Sequence, residues 1–176
     1  MKGWHLRLVA IGLVVTSCSK PPIEVRTFHL PGGGSVVMQI EGRNATSPPR
    51  DGMSIDFATF MISGSTEGVV QTFAFSANRK NPPRVITVED VSSDVPTLIV
   101  RDTAPKLTLG GKWVADVPLK DPAATAALLA LPGDTKAFFL FTITLADGQT
   151  FRMHTLSVWD SYTKSDILRA LRGQNN

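Results

Sequence analysis

Lys136–Leu145 reads KAFFLFTITL, Ala146–Gly148 reads ADG, and Gln149–Val158 reads QTFRMHTLSV. The first run is rich in aromatic and β-branched residues, and the second alternates apolar and polar positions, the period of a strand with one buried face. Asp-Gly between two such runs tolerates the positive φ that tight hairpin turns need. The spacing therefore predicts an antiparallel hairpin. Phe138-Phe139-Leu140-Phe141 is apolar on both strand faces. That pattern fits a central strand covered on both sides, with segment 122–131 as one candidate cover, or a face that meets a partner.

Upstream, further strand-like runs are separated by turn chemistry. Ile23–Phe28 alternates, Ser35–Ile40 (SVVMQI) is β-rich, and 44–52 reads as a loop by composition. Ser54–Ile62, Val69–Ser76 (VVQTFAFS), Arg84–Glu89 (RVITVE) after Pro82-Pro83, Thr97–Arg101 (TLIVR) and Lys112–Val117 (KWVADV) follow. Eight or nine short strands at such spacing argue for an all-β sandwich or barrel. Two helical pieces interrupt the pattern. Asp121 can cap a helix with Pro122 in its first turn and Pro132-Gly133 at its end. Thr163-Lys164-Ser165-Asp166 resembles a capping box, followed by Ile167, Leu168 and Leu171 on one face and closed by Gly173. The expected fold is mainly β: an antiparallel sandwich with one short crossover helix and a C-terminal helix. Its order looks like an immunoglobulin-like sandwich, without the Cys…Trp…Cys core, which Trp113 alone does not replace.

The chain has 176 residues, 43% of them hydrophobic and 19% charged, the balance of a globular chain. With 14 Gly and 12 Pro it is loop-rich, and its one cysteine excludes an internal disulfide framework and a cysteine-rich metal site. That cysteine is informative by position. Lys2 and Arg7 precede the uncharged run Leu8–Val15, which is short of the roughly 20 residues that span a bilayer. A basic start, a short apolar core and small residues after it describe a secretory signal peptide. Val15-Thr16-Ser17-Cys18 resembles the lipobox of bacterial lipoproteins: an aliphatic residue, two small ones, then cysteine. Val15 replaces the commoner leucine and Thr16 the commoner alanine or serine. The resemblance implies a signal peptide over 1–17, a Cys18 carrying a diacylglyceryl group and a second acylation such as palmitate, a lipidated tether over 18–22 and one sandwich domain over 23–176. Two or three acyl chains hold a protein at a membrane durably. Ser19, where an aspartate would commonly retain such proteins at the inner membrane, leans toward an outer membrane, facing the periplasm, in a cell that has two.

Loss of residues 1–17 removes Lys2 and Arg7. The net charge then falls from +3 to +1, leaving no basic face for nucleic acid. No catalytic set emerges from the remaining residues. His29 and His154 lack metal-ligand spacing and read as partly exposed strand residues, with a joint metal or base site as the sharper alternative. Ser35 follows the Gly32–Gly34 triplet without a nucleophile elbow, so the triplet reads as a turn. Gly111-Lys112 fails as a phosphate loop, with Lys106 in the place of its first glycine and Trp113 in that of its Ser/Thr. Glu89, Asp90, Asp94 and Asp102 could feed a hard-cation site or form a solvated loop. Asn44-Ala45-Thr46 is a formal glycosylation sequon that reads as loop chemistry. Phe57, Phe60, Phe73, Phe75, Phe138, Phe139, Phe141 and Phe151 read as core, and Trp159 and Tyr162 as a packed chain exit or a stacking pair.

No catalytic, cofactor-binding or metal residue is assigned, and Cys18 is the one assigned site. The expectation is a lipid-anchored cell-envelope protein, membrane-bound through its N-terminal lipid. Its sandwich would act as a non-enzymatic module for an envelope protein or polymer. Two alternatives remain: an anchored envelope hydrolase using paired carboxylates, and a carrier with a phenylalanine-lined pocket for a small apolar ligand.

Overall fold

The computed structural model describes residues 22–62, 69–118, 122–159 and 165. In chain order the elements are β1 (Glu24–His29), β2 (Ser35–Glu41), β3 (Asn44–Thr46), β4 (Ser54–Ile62), β5 (Val69–Ser76), β6 (Pro83–Asp90), β7 (Thr97–Asp102), β8 (Lys106–Leu107), β9 (Trp113–Pro118), α1 (Pro122–Ala130), β10 (Thr135–Leu145) and β11 (Thr150–Trp159). They build two antiparallel sheets, in the orders β1-β2-β3-β11-β10-β6-β7 and β4-β5-β9-β8. Neither closes into a barrel. The signal segment, Cys18, Asp121, Tyr162 and nearly all of the expected C-terminal helix lie outside the described residues.

The hairpin β10–β11 is the spine of the larger sheet, paired from Thr135↔Trp159 to Thr144↔Thr150. Leu145 donates its N–H to Gln149 O at 2.9 Å and closes the turn. Because side chains alternate along a strand, Phe139, Phe141, Ile143 and Leu145 all face the smaller sheet. There they join Phe73 and Phe75 of β5, Ile86 and Val88 of β6, and Ala115 of β9 in one buried core. Phe73 is fully buried and meets two rings of the opposite sheet edge to face: Phe139 at 5.4 Å and 74°, Phe141 at 5.8 Å and 77°. That geometry sets the positive ring edge against the negative ring face.

Phe138 and Leu140 point to the other side of β10, so this strand is covered on both faces, as its composition requires. The β1–β2 hairpin covers Phe138. Phe28 meets Phe138 at 6.4 Å, and Val36, Met38 and Ile40 pack with Ala45 and Leu156 in a second, smaller core. Met38 is fully buried there. The tip of this hairpin rests on the loop after β6, where Gly32 lies 3.4 Å, measured from the position of a Cβ, from the Asp94 carbonyl oxygen.

The loop expected over 44–52 is a strand in its first three residues. Glu41 pairs with Asn44 across the two-residue turn Gly42-Arg43, and Gly42 sits at φ 63° in its first position. A glycine there matches the right-handed twist of the flanking strands. The turn returns the chain alongside β11, where Ala45 pairs with Leu156 and is buried. The Asn44-Ala45-Thr46 sequon is therefore strand, and Asn44 Oδ1 accepts the Val158 N–H. Composition missed it because a three-residue strand has no periodicity to read.

Candidate binding groove

Backbone polarity along β11 defines an open site. In an antiparallel strand, the N–H and C=O groups of alternate residues point to alternate neighbours. Gln149 bonds to β10 through Leu145, so the odd residues 149 to 155 address β10. The even residues address the opposite side: His154 exchanges bonds there with Ser47, its N–H to Ser47 Oγ at 2.7 Å and its C=O with Ser47 N at 2.8 Å. Thr150 and Arg152 must therefore direct their backbone groups the same way. Among the described residues no strand meets them: β3 pairs β11 at Thr155↔Thr46 and Leu156↔Ala45.

The chain leaves this line at Pro48-Pro49. Proline has no N–H and cannot extend the ladder. Arg50 and Met53 then exchange two backbone bonds, 2.9 and 2.8 Å, around Asp51 (φ 51°) and Gly52 (φ 77°). Both central residues at positive φ make a turn of the tight hairpin kind, and it carries the chain across to β4. Between this loop and residues 149–153 of β11 lies a groove of about 590 Å³, within the usual range of roughly 300–1,000 Å³ for ligand clefts. Arg50, Asp51, Gln149 and Arg152 provide its polar groups. The Arg50–Asp51 ion pair (3.4 Å) is exposed, so it holds little energy and leaves both groups available.

Burial pushes the His154 imidazole below its usual pKa, and the neighbouring Arg152 charge adds to the effect. His154 is therefore a neutral strand residue at pH 7. His29 sits at the opposite end of β1–β2, paired with Ser35, whose hydroxyl lies 2.8 Å from His29 Nδ1. Those two sequence candidates meet, but on an exposed hairpin tip beside a glycine turn. No acid bonded to the imidazole orients it there among the described residues. The acids take separate duties: Asp90 accepts the Ser92 N–H and Asp102 the Ala104 N–H, both at 2.8 Å, while Glu89 pairs with Leu98 across the β6–β7 edge. No three His, Cys, Asp or Glu residues converge on a metal-binding position among the described residues. Lys106 is an exposed β8 residue and Trp113 packs against the main core. Trp159 is buried at the end of β11.

Sequence reading missed one polar cluster. Asp56 is the extra residue of a bulge between Ile55 and Phe57 in β4, and bulges re-aim side chains. Its Oδ1 accepts from Lys112 Nζ and its Oδ2 from Ser76 Oγ at 2.9 Å, and Lys112 also donates to Ser76 at 2.9 Å. Serine, lysine and aspartate so arranged form a clamp across β4, β5 and the start of β9. Lys112 Nζ donates to both oxygens. Asp56 also lines, with Glu41, a cavity of about 290 Å³ between β3, β4 and β11. The groove and the clamp left only faint signals in the sequence: Pro48-Pro49 one residue after the sequon, and the turn-forming pair Asp51-Gly52. Comparison with protein-family models, with curated proteins and with solved structures gave no match.

Proposed function

We propose that the chain is a lipid-anchored cell-envelope lipoprotein whose sandwich is a non-enzymatic interaction module held close to the membrane. The observation that carries this reading is Val15-Thr16-Ser17-Cys18, with the chain's one cysteine at the position a lipobox demands. The start of β1 at Glu24 supports the second half of it. Six residue steps separate Cys18 from Glu24, and an extended chain spans at most about 3.3–3.6 Å per residue, so the tether reaches only about 20 Å. Ser19 points to the outer membrane, with the module facing the periplasm, in a cell with two membranes.

The finer architecture is immunoglobulin-like. Support comes from the orders β4-β5-β9-β8 and β11-β10-β6-β7, which correspond to strands A-B-E-D and G-F-C-C′ of that fold. Strands β1, β2 and β3 are additions, α1 lies in the E–F connection, and the usual disulfide is absent. Sandwich folds host many unrelated functions, and function rests on the grafted site. The site here is a groove with open backbone, without a nucleophile–base pair in it.

Mass spectrometry of the protein extracted from cell envelopes tests the anchor. The expected N-terminal residue is Cys18 bearing a diacylglyceryl group. An intact Met1 terminus with a free Cys18 thiol refutes it. Crosslinking in intact envelopes tests the module, and the absence of any crosslinked partner counts against it.

A further inference from the structure

We propose that the open edge of β11 at Thr150–Arg152 receives an extended segment of a partner protein as an added antiparallel strand, with an acidic side chain opposite Arg152. This deepens the reading of the chain as a binding module and rests on it.

Three observations converge on the inference. First, two residues present both an N–H and a C=O to the groove, in register with the His154–Ser47 exchange that ends the internal ladder. An extended peptide is the ligand whose own backbone matches four such groups at strand spacing. Second, the protein's own chain is barred from the position. Pro48 and Pro49 follow Ser47 directly, line the groove together with residues 149–153 of β11, and carry no donor with which to extend β3. A partner strand that enters the groove in the direction of β3 runs antiparallel to β11, the more stable pairing per residue. Third, the charge is specific. Arg152 is exposed on the groove rim and has no carboxylate partner among the described residues. A residue directly opposite it on an added strand lies at cross-strand distance, where an opposite charge is favoured and a like charge opposed. Arg50 on the facing loop is offset by its neighbour Asp51, so the preference rests on Arg152.

The groove is short. Its β11 wall covers Gln149 to Met153, so three or four partner residues fill it. The inner side chains on that wall, Phe151 and Met153, are buried and face the core. Specificity therefore comes from the backbone and the outer face rather than from a deep side-chain pocket.

The test uses the full chain in detergent micelles and four blocked hexapeptides of alternating threonine and valine. One carries a central aspartate, one a central lysine, one the aspartate with alternate backbone amides N-methylated, and one a central proline. Fluorescence anisotropy gives affinity, and amide hydrogen exchange locates the contact. The aspartate peptide binds below 10 mM and slows exchange at Thr150 and Arg152. The N-methylated and proline peptides bind at least about twofold more weakly, because each has lost backbone donors to the edge of β11. Arg152→Glu reverses the preference between the aspartate and lysine peptides, and Arg152→Gln abolishes it. Equal binding of the N-methylated peptide, a preference unmoved by either variant, protection confined to other residues, or no binding of any peptide overturns the proposal. Envelope crosslinks that map away from residues 149–153 overturn it while leaving the module reading intact. A missing lipid on Cys18 bears on the anchor alone.

Discussion

Replacing Phe73 by alanine removes the ring that joins the two sheets. Phe73 is fully buried and touches Phe139 and Phe141 edge to face at 5.4 and 5.8 Å. Truncating a core phenylalanine costs about 3–5 kcal/mol, through lost transfer energy and the cavity left behind. Each aromatic pair adds about 0.5–1.5 kcal/mol beyond its area. The site belongs near the top of the range, about 4–5 kcal/mol, because strands on both sides fix its walls and limit collapse. Total stability of a domain is about 5–15 kcal/mol, so the variant stands close to its limit. Urea unfolding of the chain from residue 22 onward measures the loss, with an unchanged m-value as the control. At about 2–4 °C per kcal/mol for this length, the thermal midpoint falls by about 10–15 °C. Phe73→Leu, which keeps most of the volume, costs about 1–2 kcal/mol. A loss below about 1.5 kcal/mol for Phe73→Ala would refute the packing of the two sheets through this ring. Val25→Ala, at a residue 52% exposed, is the contrast and changes stability by less than about 0.5 kcal/mol.

Met38→Ala opens the smaller core under the β1–β2 hairpin. It accelerates amide exchange in β1 and β2 before it affects β10, whereas uniform acceleration would show that the hairpin is not a separate unit. For Asp56 and Lys112, both partly exposed, a double-mutant cycle gives a coupling of about 0.5–1 kcal/mol that shrinks in high salt; zero coupling removes the clamp. His154 is held neutral in the folded state, its pKa lowered, so the unfolded chain binds the extra proton as pH falls below about 6.5. Stability is therefore full above that pH and declines from there toward the lowered folded-state pKa. His154→Gln flattens this part of the profile in urea titrations from pH 7 to pH 5, and an unchanged profile refutes the assignment. In the free protein, Thr150 and Arg152 amides exchange quickly while those of Phe151 and Met153 are protected, a two-residue alternation that amide exchange reads directly.

The two-sheet, mainly β architecture was legible because its signals are local and repeated. Val69–Ser76 is a strand in the sequence reading and in the structure with the same bounds, and Ser54–Ile62 likewise. The other expected strands differ by one residue at one or both ends, where fraying and bulges decide the limits, while Lys106–Leu107 (β8) was not expected as a strand. What stayed illegible depends on partners distant in sequence. Asn44–Thr46 is a strand because Leu156 and Thr155 are beside it, and nothing within three residues announces that. The hairpin that follows Pro22 covers Phe138, and no local signal announces it, since the order of strands across a sheet is not written in any one of them. The Ser76–Asp56–Lys112 cluster joins residues 20 to 56 positions apart through a bulge. The groove is a gap, defined by a strand that stops, and a sequence pattern records the residues present rather than a ladder left unfinished.

The attachment of β1 also governs how the molecule responds to tension. Glu24 pairs with Ile40 at the open end of the hairpin, beside the point where β2 continues into the body. A pull arriving through the N-terminus therefore opens that hairpin pair by pair, like a zipper, and does not load all its bonds at once. Residues 24–40 would release about 55–60 Å of slack at full extension. The load would be spent there, on Phe28, Val36 and Met38, while the phenylalanine contacts between the two sheets stay shielded. The first hairpin is thus placed to act as a mechanical fuse.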